Sequence, residues 1–353
     1  MARVLLTGFE PFGGHAENVS EQVANRLLGE TKQVALSPAG EWGWDADEVE
    51  LTFDGGILGC DETGAAAGVT RLGELATREQ LPAAIIHLGL AEKATQIRIE
   101  TRAVNRLDFR IPDNQGRQIK DAQIIENGPL VRLTTAPEKA LSAWTKDIDE
   151  VRMSEDCGEF VCNETYFRTL DTIERNLYMD AAGRSLPALF VHLPPPDVLD
   201  IDTQVNHVAE IAARLVARPA IRVVGGVVVE DGRVLACRRA ADEVMPGMWE
   251  FPGGKIGPGE SPEAALRREM QEELGLDVEV HGTLGAHTHD YGSVLVALQF
   301  IHCTADGQTP TLSVHSEMRW LQTDDLLDVD WLAPDVAFVE TLARDGLPQS
   351  SSV

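Results

Sequence analysis

Glu269, Glu272 and Glu273 stand at i, i+3 and i+4 of one short stretch, which puts three carboxylates on a single face if that stretch is helical. Charge runs usually face water, but carboxylates this close repel one another unless a cation lies among them. An all-oxygen donor set of this kind suits Mg2+ or Mn2+. Arg268, four residues before Glu272, can pair with it, and the glycines upstream, Gly253 and Gly254 among them, let backbone approach a ligand. A second set of reactive types lies earlier in the chain. Cys162 opens a helical pattern, where a thiol meets a lowered pKa and free N–H donors. His192 ends the apolar run Ala188 to Val191, just before Pro194, Pro195 and Pro196, and Glu100 lies in the segment Ile97 to Asn105. Cysteine as nucleophile, histidine as base and then acid, and glutamate as orienter make a triad. Phe9 and Phe12, beside Gly8, Gly13 and Gly14 and followed by Asn18, could wall a small apolar pocket at the end of the first strand.

The elements that must carry these groups follow from patterning. Ser261 is a good N-cap, Pro262 suits the first helical position and Gly275 ends the turn, so Pro262 to Leu274 is predicted as a short capped helix. Helical spacing over Thr203 to Ala217 stops at Arg218-Pro219. A strand pattern begins at Ile221 and continues across Asp231-Gly232, a hairpin signal. The boundary therefore falls near Arg218: a first domain over 1–217, a second over 218–345 and a frayed tail over 346–353. Before the boundary, short apolar strands (Val4 to Leu6, Ala83 to Leu88, Ala188 to Val191) alternate with helical patterns (Glu21 to Leu28, Asn163 to Arg175), which predicts a three-layer α/β domain. Two domains agree with a length of 353 residues.

Composition bounds the partners. A net charge of -27 repels phosphate backbones and anionic lipid surfaces, which argues against nucleic acid and membranes. A small polyphosphate can still bind where a metal reverses the local sign. The amino terminus reads as a buried strand rather than a secretory segment, and five scattered cysteines without a CxxC pair read as reduced thiols, so a cytoplasmic location is expected. Self-association is left open.

Two family resemblances sharpen these readings. Gly254, five residues, Glu260, seven residues, then Arg268-Glu269-Met270-Gln271-Glu272-Glu273-Leu274-Gly275-Leu276 resembles the Nudix box at every position. Met248-Trp249-Glu250-Phe251-Pro252-Gly253 is similar to the run before that box in MutT-like and CTP-pyrophosphohydrolase-like members. The resemblance implies an α/β/α sandwich with Mg2+ or Mn2+ held by Glu269, Glu272, Glu273 and the backbone of Gly254, and with Glu260 supporting the helix start. It implies hydrolysis of a nucleoside triphosphate, 8-oxo-dGTP-like or CTP-like, to monophosphate and pyrophosphate. The base stays open among Glu272, Glu269 and Glu317. Asp335 falls where such enzymes carry a base-binding Asn or Asp, and it reads equally as a helix N-cap. Val314 stands where many relatives have another carboxylate.

Over about residues 1–217, Gly8-Phe9-Glu10-Pro11-Phe12-Gly13-Gly14, Glu100 with Ala103 and Asn105, Arg110-Ile111-Pro112-Asp113-Asn114, Phe160-Val161-Cys162-Asn163 and Val191-His192 resemble pyroglutamyl peptidase I in order. This implies a cofactor-free exopeptidase for N-terminally pyroglutamylated peptides, with Cys162, His192 and Glu100 as triad and Phe9, Phe12 and Asn18 at the substrate. Gly89-Leu90-Ala91-Glu92-Lys93-Ala94 departs from the family's Gly-Gln-Ala-Gly-Gly-Arg. A bifunctional hydrolase is therefore expected. The alternative is a Nudix enzyme whose first domain is a degenerate binding or assembly module.

Overall fold

The structure is a computed structural model that describes residues 1–257, 259–292 and 294–348. The chain divides into two compact units, Met1–Ser37 with Trp44–Pro219, and Pro38–Gly43 with Ala220 onward. The far end of the expected frayed tail, residues 349–353, lies outside the described residues, whereas Leu347 packs partly buried on the second unit's core.

In chain order the elements up to the boundary run β1 (Ala2–Phe9), α1 (Val19–Leu27), β2 (Thr31–Ala35), β3 (Trp42–Trp44), β4 (Glu48–Leu58), α2 (Glu62–Thr77), β5 (Ala84–Leu90), β6 (Ile97–Glu100), β7 (Arg102–Val104), β8 (Val131–Leu133), α3 (Glu138–Thr145), β9 (Val151–Ser154), α4 (Val161–Asn176), β10 (Ala188–Leu193) and α5 (Ile201–Val216), all in the first unit except β3, most of which falls in the second. The first unit's sheet has the order β2-β4-β1-β5-β10-β6-β9. The inner strands β4, β1, β5 and β10 run parallel, and β2 and β6 join antiparallel to their neighbours β4 and β10. Parallel strands covered on both faces must be apolar along their whole length, and β5 and β10 are buried nearly throughout. Helices α2 and α4 pack on each other, as do α1 and α5, giving the three layers. Between the sheet and α2 and α4 lies a core built on Leu5, Phe9, Leu72, Tyr166, Phe167 and Phe190.

The second unit contains β11 (Pro219–Glu230), β12 (Arg233–Arg239), β13 (Trp249–Glu250), β14 (Gly253–Lys255), α6 (Pro262–Leu274), β15 (Glu279–Asp290), β16 (Leu295–Thr304), β17 (His315–Leu321), a 3-10 turn (Thr323–Asp328) and α7 (Ala333–Asp345). The hairpin between β11 and β12 turns where expected: Asp231 and Gly232 both take positive φ, 48° and 71°, the pairing that matches strand twist. Alternate residues of β11 face opposite ways. Val224 and Val228 meet Leu266, Met270 and Leu274 of α6, while Val227 and Val229 meet Phe338, Val339 and Leu342 of α7. A mixed sheet between two helices is the expected α/β/α sandwich. Among the described residues no helix is long and apolar enough to cross a membrane.

Candidate active sites

The first site sits at the carboxyl ends of the parallel strands β5 and β10, with Glu100 supplied by the last residue of antiparallel β6. Cys162 is the second residue of α4, whose N-cap, Phe160, supplies no side-chain cap, so the N–H groups of the first turn are left for another acceptor. The thiol lies above Gly89: a methyl there would come within 3.1 Å of the Cys162 sulfur and 2.7 Å of the Phe190 ring. Asn163 ties the helix start down, accepting from Val104 N–H and donating to the carbonyls of Val104 and Arg106.

His192 Nδ1 is 2.9 Å from Glu100 Oε1, and both residues are buried. The backbone carbonyl of Glu100 is fixed by the Tyr166 hydroxyl at 3.0 Å. Burial pushes the His192 imidazole down. The hydrogen bonds to Cys162 and Glu100, with the attraction of both, more than reverse that and raise it to about 9. Protonated, the imidazole lies between the Glu100 carboxylate and the Cys162 sulfur, the arrangement a cysteine nucleophile needs. The three residues nominated from sequence are brought together as a hydrogen-bonded line.

Burial separates Cys162 from the other thiols. It is half-buried, whereas Cys60, Cys157, Cys237 and Cys303 are buried. Burial first, then the charge of Cys162 for Cys60 and of Glu100 followed by Cys162 for Cys157, holds both thiols well above the ordinary range. They line the site as neutral groups.

The residues nominated for substrate divide. Phe12 is half-buried, 5.7 Å between ring centres from Phe160, at the rim. Phe9 is 2% exposed and stacks on Phe190, so it belongs to the floor. Asn18 is not placed as a substrate contact. It is the N-cap of α1, accepting from the Ser20 amide and hydroxyl and donating to the Glu10 carbonyl, which leaves both ends of its amide engaged in the loop itself. Glu10 was missed in the sequence. Its carboxylate takes the Cys60 N–H and the Asn114 amide, binding the Phe12 loop to two neighbouring segments. In the departing segment, Glu92 pairs with His15 of that same loop at 2.6 Å.

The second site is organised by α6, capped by the Ser261 hydroxyl and by left-handed Gly275. A Cβ on Gly254 would lie 2.4 Å from the Glu269 carboxyl carbon, so the absent side chain is the space Glu269 occupies. Glu273 Oε2 accepts the Gly253 N–H at 3.3 Å, and Glu272 projects outward with 61% of its side chain exposed. Arg268 does more than the expected pairing with Glu272. It grips Glu260 through two nitrogens (3.0 and 2.9 Å), Glu269 at 2.7 Å and the Lys255 carbonyl at 2.9 Å, with Glu272 at 3.3 Å. Glu260, held low by Arg268 and the Gly257 N–H, is a strut between the loop and the helix.

Burial pushes Glu273 up to about 7, opposed by His315 and reinforced by Glu269 and Glu250. Among the described residues no three His, Cys, Asp or Glu side chains converge closely enough, as they stand, to enclose an ion. The donor chemistry nevertheless fits a divalent cation: Glu269 and Glu273 nest against Gly254 and Gly253, with Glu272 the third carboxylate on the same helix. Glu317 is paired with Arg319 at 2.8 Å and Arg238 at 3.4 Å, and Arg319, then Arg238, hold it low, so it is a poor base. Asp335 is 4% exposed in the first turn of α7, whose cap is Leu332, so the N-cap alternative does not hold. It accepts from Phe251 N–H, and burial raises it to about 8.

Residues 69–215 match the family model described as pyroglutamyl peptidase, and residues 218–343 the one described as NUDIX domain. The chain is 33% identical to a pyrrolidone-carboxylate peptidase of Thermococcus litoralis over 195 residues, which is 55% of this chain and 77% of that protein. It is 35% identical to a putative 8-oxo-dGTP diphosphatase 2 of Mycobacterium tuberculosis over 125 residues, 35% of this chain and 87% of that one. The solved pyrrolidone carboxyl peptidase of Thermococcus litoralis superposes with a TM-score of 0.50 at 27% identity, covering 61% of this chain and 93% of that structure.

Proposed function

The chain belongs to the pyroglutamyl peptidase family through its first unit and to the Nudix family through its second, and from that membership we propose a bifunctional hydrolase. In the first unit Cys162 passes its proton to His192 and attacks the carbonyl of an N-terminal pyroglutamyl residue. His192 gives its proton to the departing amine, then takes one from the water that splits the thioester and frees Cys162. Glu100 fixes the imidazole and balances its charge. First-turn N–H groups of α4 face the oxyanion, and Phe12 walls the lactam ring over a floor that includes Phe9.

The observation that carries this reading is the Glu100–His192–Cys162 line, which a degenerate binding module would have no need to keep. Turnover of a chromogenic pyroglutamyl amide by the wild type, abolished in Cys162→Ala, is the expected result. Background-level turnover by the wild type sinks the peptidase reading and leaves the binding or assembly alternative.

In the second unit Glu269, Glu272 and Glu273, with the Gly254 backbone, would hold Mg2+ or Mn2+. When bound, that ion neutralises charge on the attacked and leaving oxygens. Water adds to phosphorus, and a nucleoside triphosphate leaves as monophosphate and pyrophosphate. Glu272, the most exposed of the three box carboxylates, would take the water's proton. Asp335, protonated near neutrality, offers both a donor and an acceptor to a base edge. This suits an 8-oxo-dGTP-like or CTP-like substrate, and incubating a panel of such nucleotides with Mg2+ and identifying the products tests it. Release of inorganic phosphate alone would refute the stated cleavage.

A further inference from the structure

Glu164 lies in the first turn of α4, two residues past Cys162, and its side chain is fully buried. A buried carboxylate is tolerated only when it is paired. Arg168, four residues on in the same helix, supplies one partner at 2.7 Å. The other comes from outside the helix. Arg117 sets its guanidinium against both Glu164 oxygens (Nη2 to Oε2 at 2.8 Å, Nη1 to Oε1 at 3.4 Å) and turns its Nε to Asp113 Oδ2 at 2.7 Å. Asp113 is buried too, and its Oδ1 takes the N–H groups of Gln115 and Arg117, so the turn that carries Arg117 is closed on itself.

That same turn supports the rim of the pocket. Asn114, next to Asp113, donates its side-chain amide to the Glu10 carboxylate (2.8 Å) and to the Pro11 carbonyl (2.9 Å), the two residues before Phe12. Arg117 also lies over the Phe109 ring, 5.2 Å from its centre. Between ring centres Phe109 is 4.6 Å from Phe160, and Phe160 is 5.7 Å from Phe12. One polar route and one aromatic route therefore run from the guanidinium to the rim ring, and its other end grips the helix that bears the thiol.

We propose that Arg117 is a positioning residue of the peptidase site: it clamps the segment supporting Phe12 to the first turn of α4, so that the rim ring is held at a fixed distance from Cys162. This rests on the reading of the first unit as a pyroglutamyl peptidase. The three side-chain nitrogens of Arg117 bond Asp113 and Glu164, so it acts on the lactam ring through the rim and leaves the chemistry of the thiol alone.

Arg117→Lys keeps a positive charge beside Glu164 but lacks the planar fork that reaches both carboxylates. Steady-state turnover of a chromogenic pyroglutamyl amide by the full chain tests this, together with protection of Cys162 from iodoacetamide by 2-pyrrolidone, the bare lactam, read by mass spectrometry. In Arg117→Lys the KM and the half-protecting 2-pyrrolidone concentration should rise together by about five- to tenfold, while kcat and the unprotected alkylation rate stay within about twofold of wild type. Glu164→Gln is the second variant, and the double change should add little to either single one, because both break the same contact. Circular dichroism checks the fold of each. Unchanged KM and protection in a folded Arg117→Lys, or a loss of kcat or alkylation rate while KM holds, overturns the proposal. A wild type that 2-pyrrolidone protects but that turns nothing over sinks the peptidase reading alone, since a weakened protection in Arg117→Lys still supports the clamp. Neither turnover nor protection in the wild type overturns both.

Discussion

His192 is held above the ordinary imidazole value of 6.5, at about 9, although burial alone would lower it. Its neighbours Cys162 and Glu100 therefore set its charge. Because the folded-state value is raised, the stability His192 contributes is fully present below pH 6.5 and is lost as pH climbs through about 9. Melting temperature should fall more steeply over that interval in the wild type than in His192→Ala, and equal slopes would contradict the assignment. Glu100→Gln removes a charged acceptor and should bring the alkaline limb of kcat/KM to lower pH, with the rate down by about tenfold or more. A limb that stays in place would show that Glu100 does not control His192.

At the scale of elements, the two loops flanking the first site are joined by one exposed contact, Glu92 with His15. His15 lies in the same turn as Phe12, its N–H bonded to the Phe12 carbonyl and its ring 6.1 Å from the Phe12 ring. The segment Gly89 to Ala94, which departs from the family's usual run, thus steadies the pocket rim by a contact of its own. An exposed pair is worth at most about 1 kcal/mol, so Glu92→Ala should raise KM for a pyroglutamyl amide about two- to fivefold with kcat unchanged. A fall in kcat instead would place Glu92 in the chemistry. Helix α6 is the opposite kind of element, specified locally. Ser261, Pro262 and Gly275 set its ends, and the Ser261 cap bond is present at 3.2 Å. Ser261→Ala should destabilise the second unit by about 1 kcal/mol, read by denaturant melts.

For the whole molecule, the two compact units put the two sets of reactive groups on separate cores. The activities should therefore be separable by point change. Cys162→Ala should keep nucleotide hydrolysis, and Glu269→Gln should keep peptidase turnover, each assayed in the intact chain. Loss of both activities in either folded variant would show coupling that the separate cores do not require. What the sequence determined alone is what short-range geometry encodes: the bounds of α6, the carboxylate face at i, i+3 and i+4, the Asp231–Gly232 turn and the alternation of strand and helix. Each follows from helical period, strand period or the φ a turn demands, within a few residues. Only the tertiary structure decided which thiol is accessible, that Asn18 caps α1, and that Arg268 braces Glu260 and Glu269 more closely than Glu272. It also decided that His315 is buried against Glu250. Burial and long-range pairing depend on sheet order and on loops that close over tens of residues, as where Glu100 meets His192 across two neighbouring strands. No local spacing records that neighbourhood.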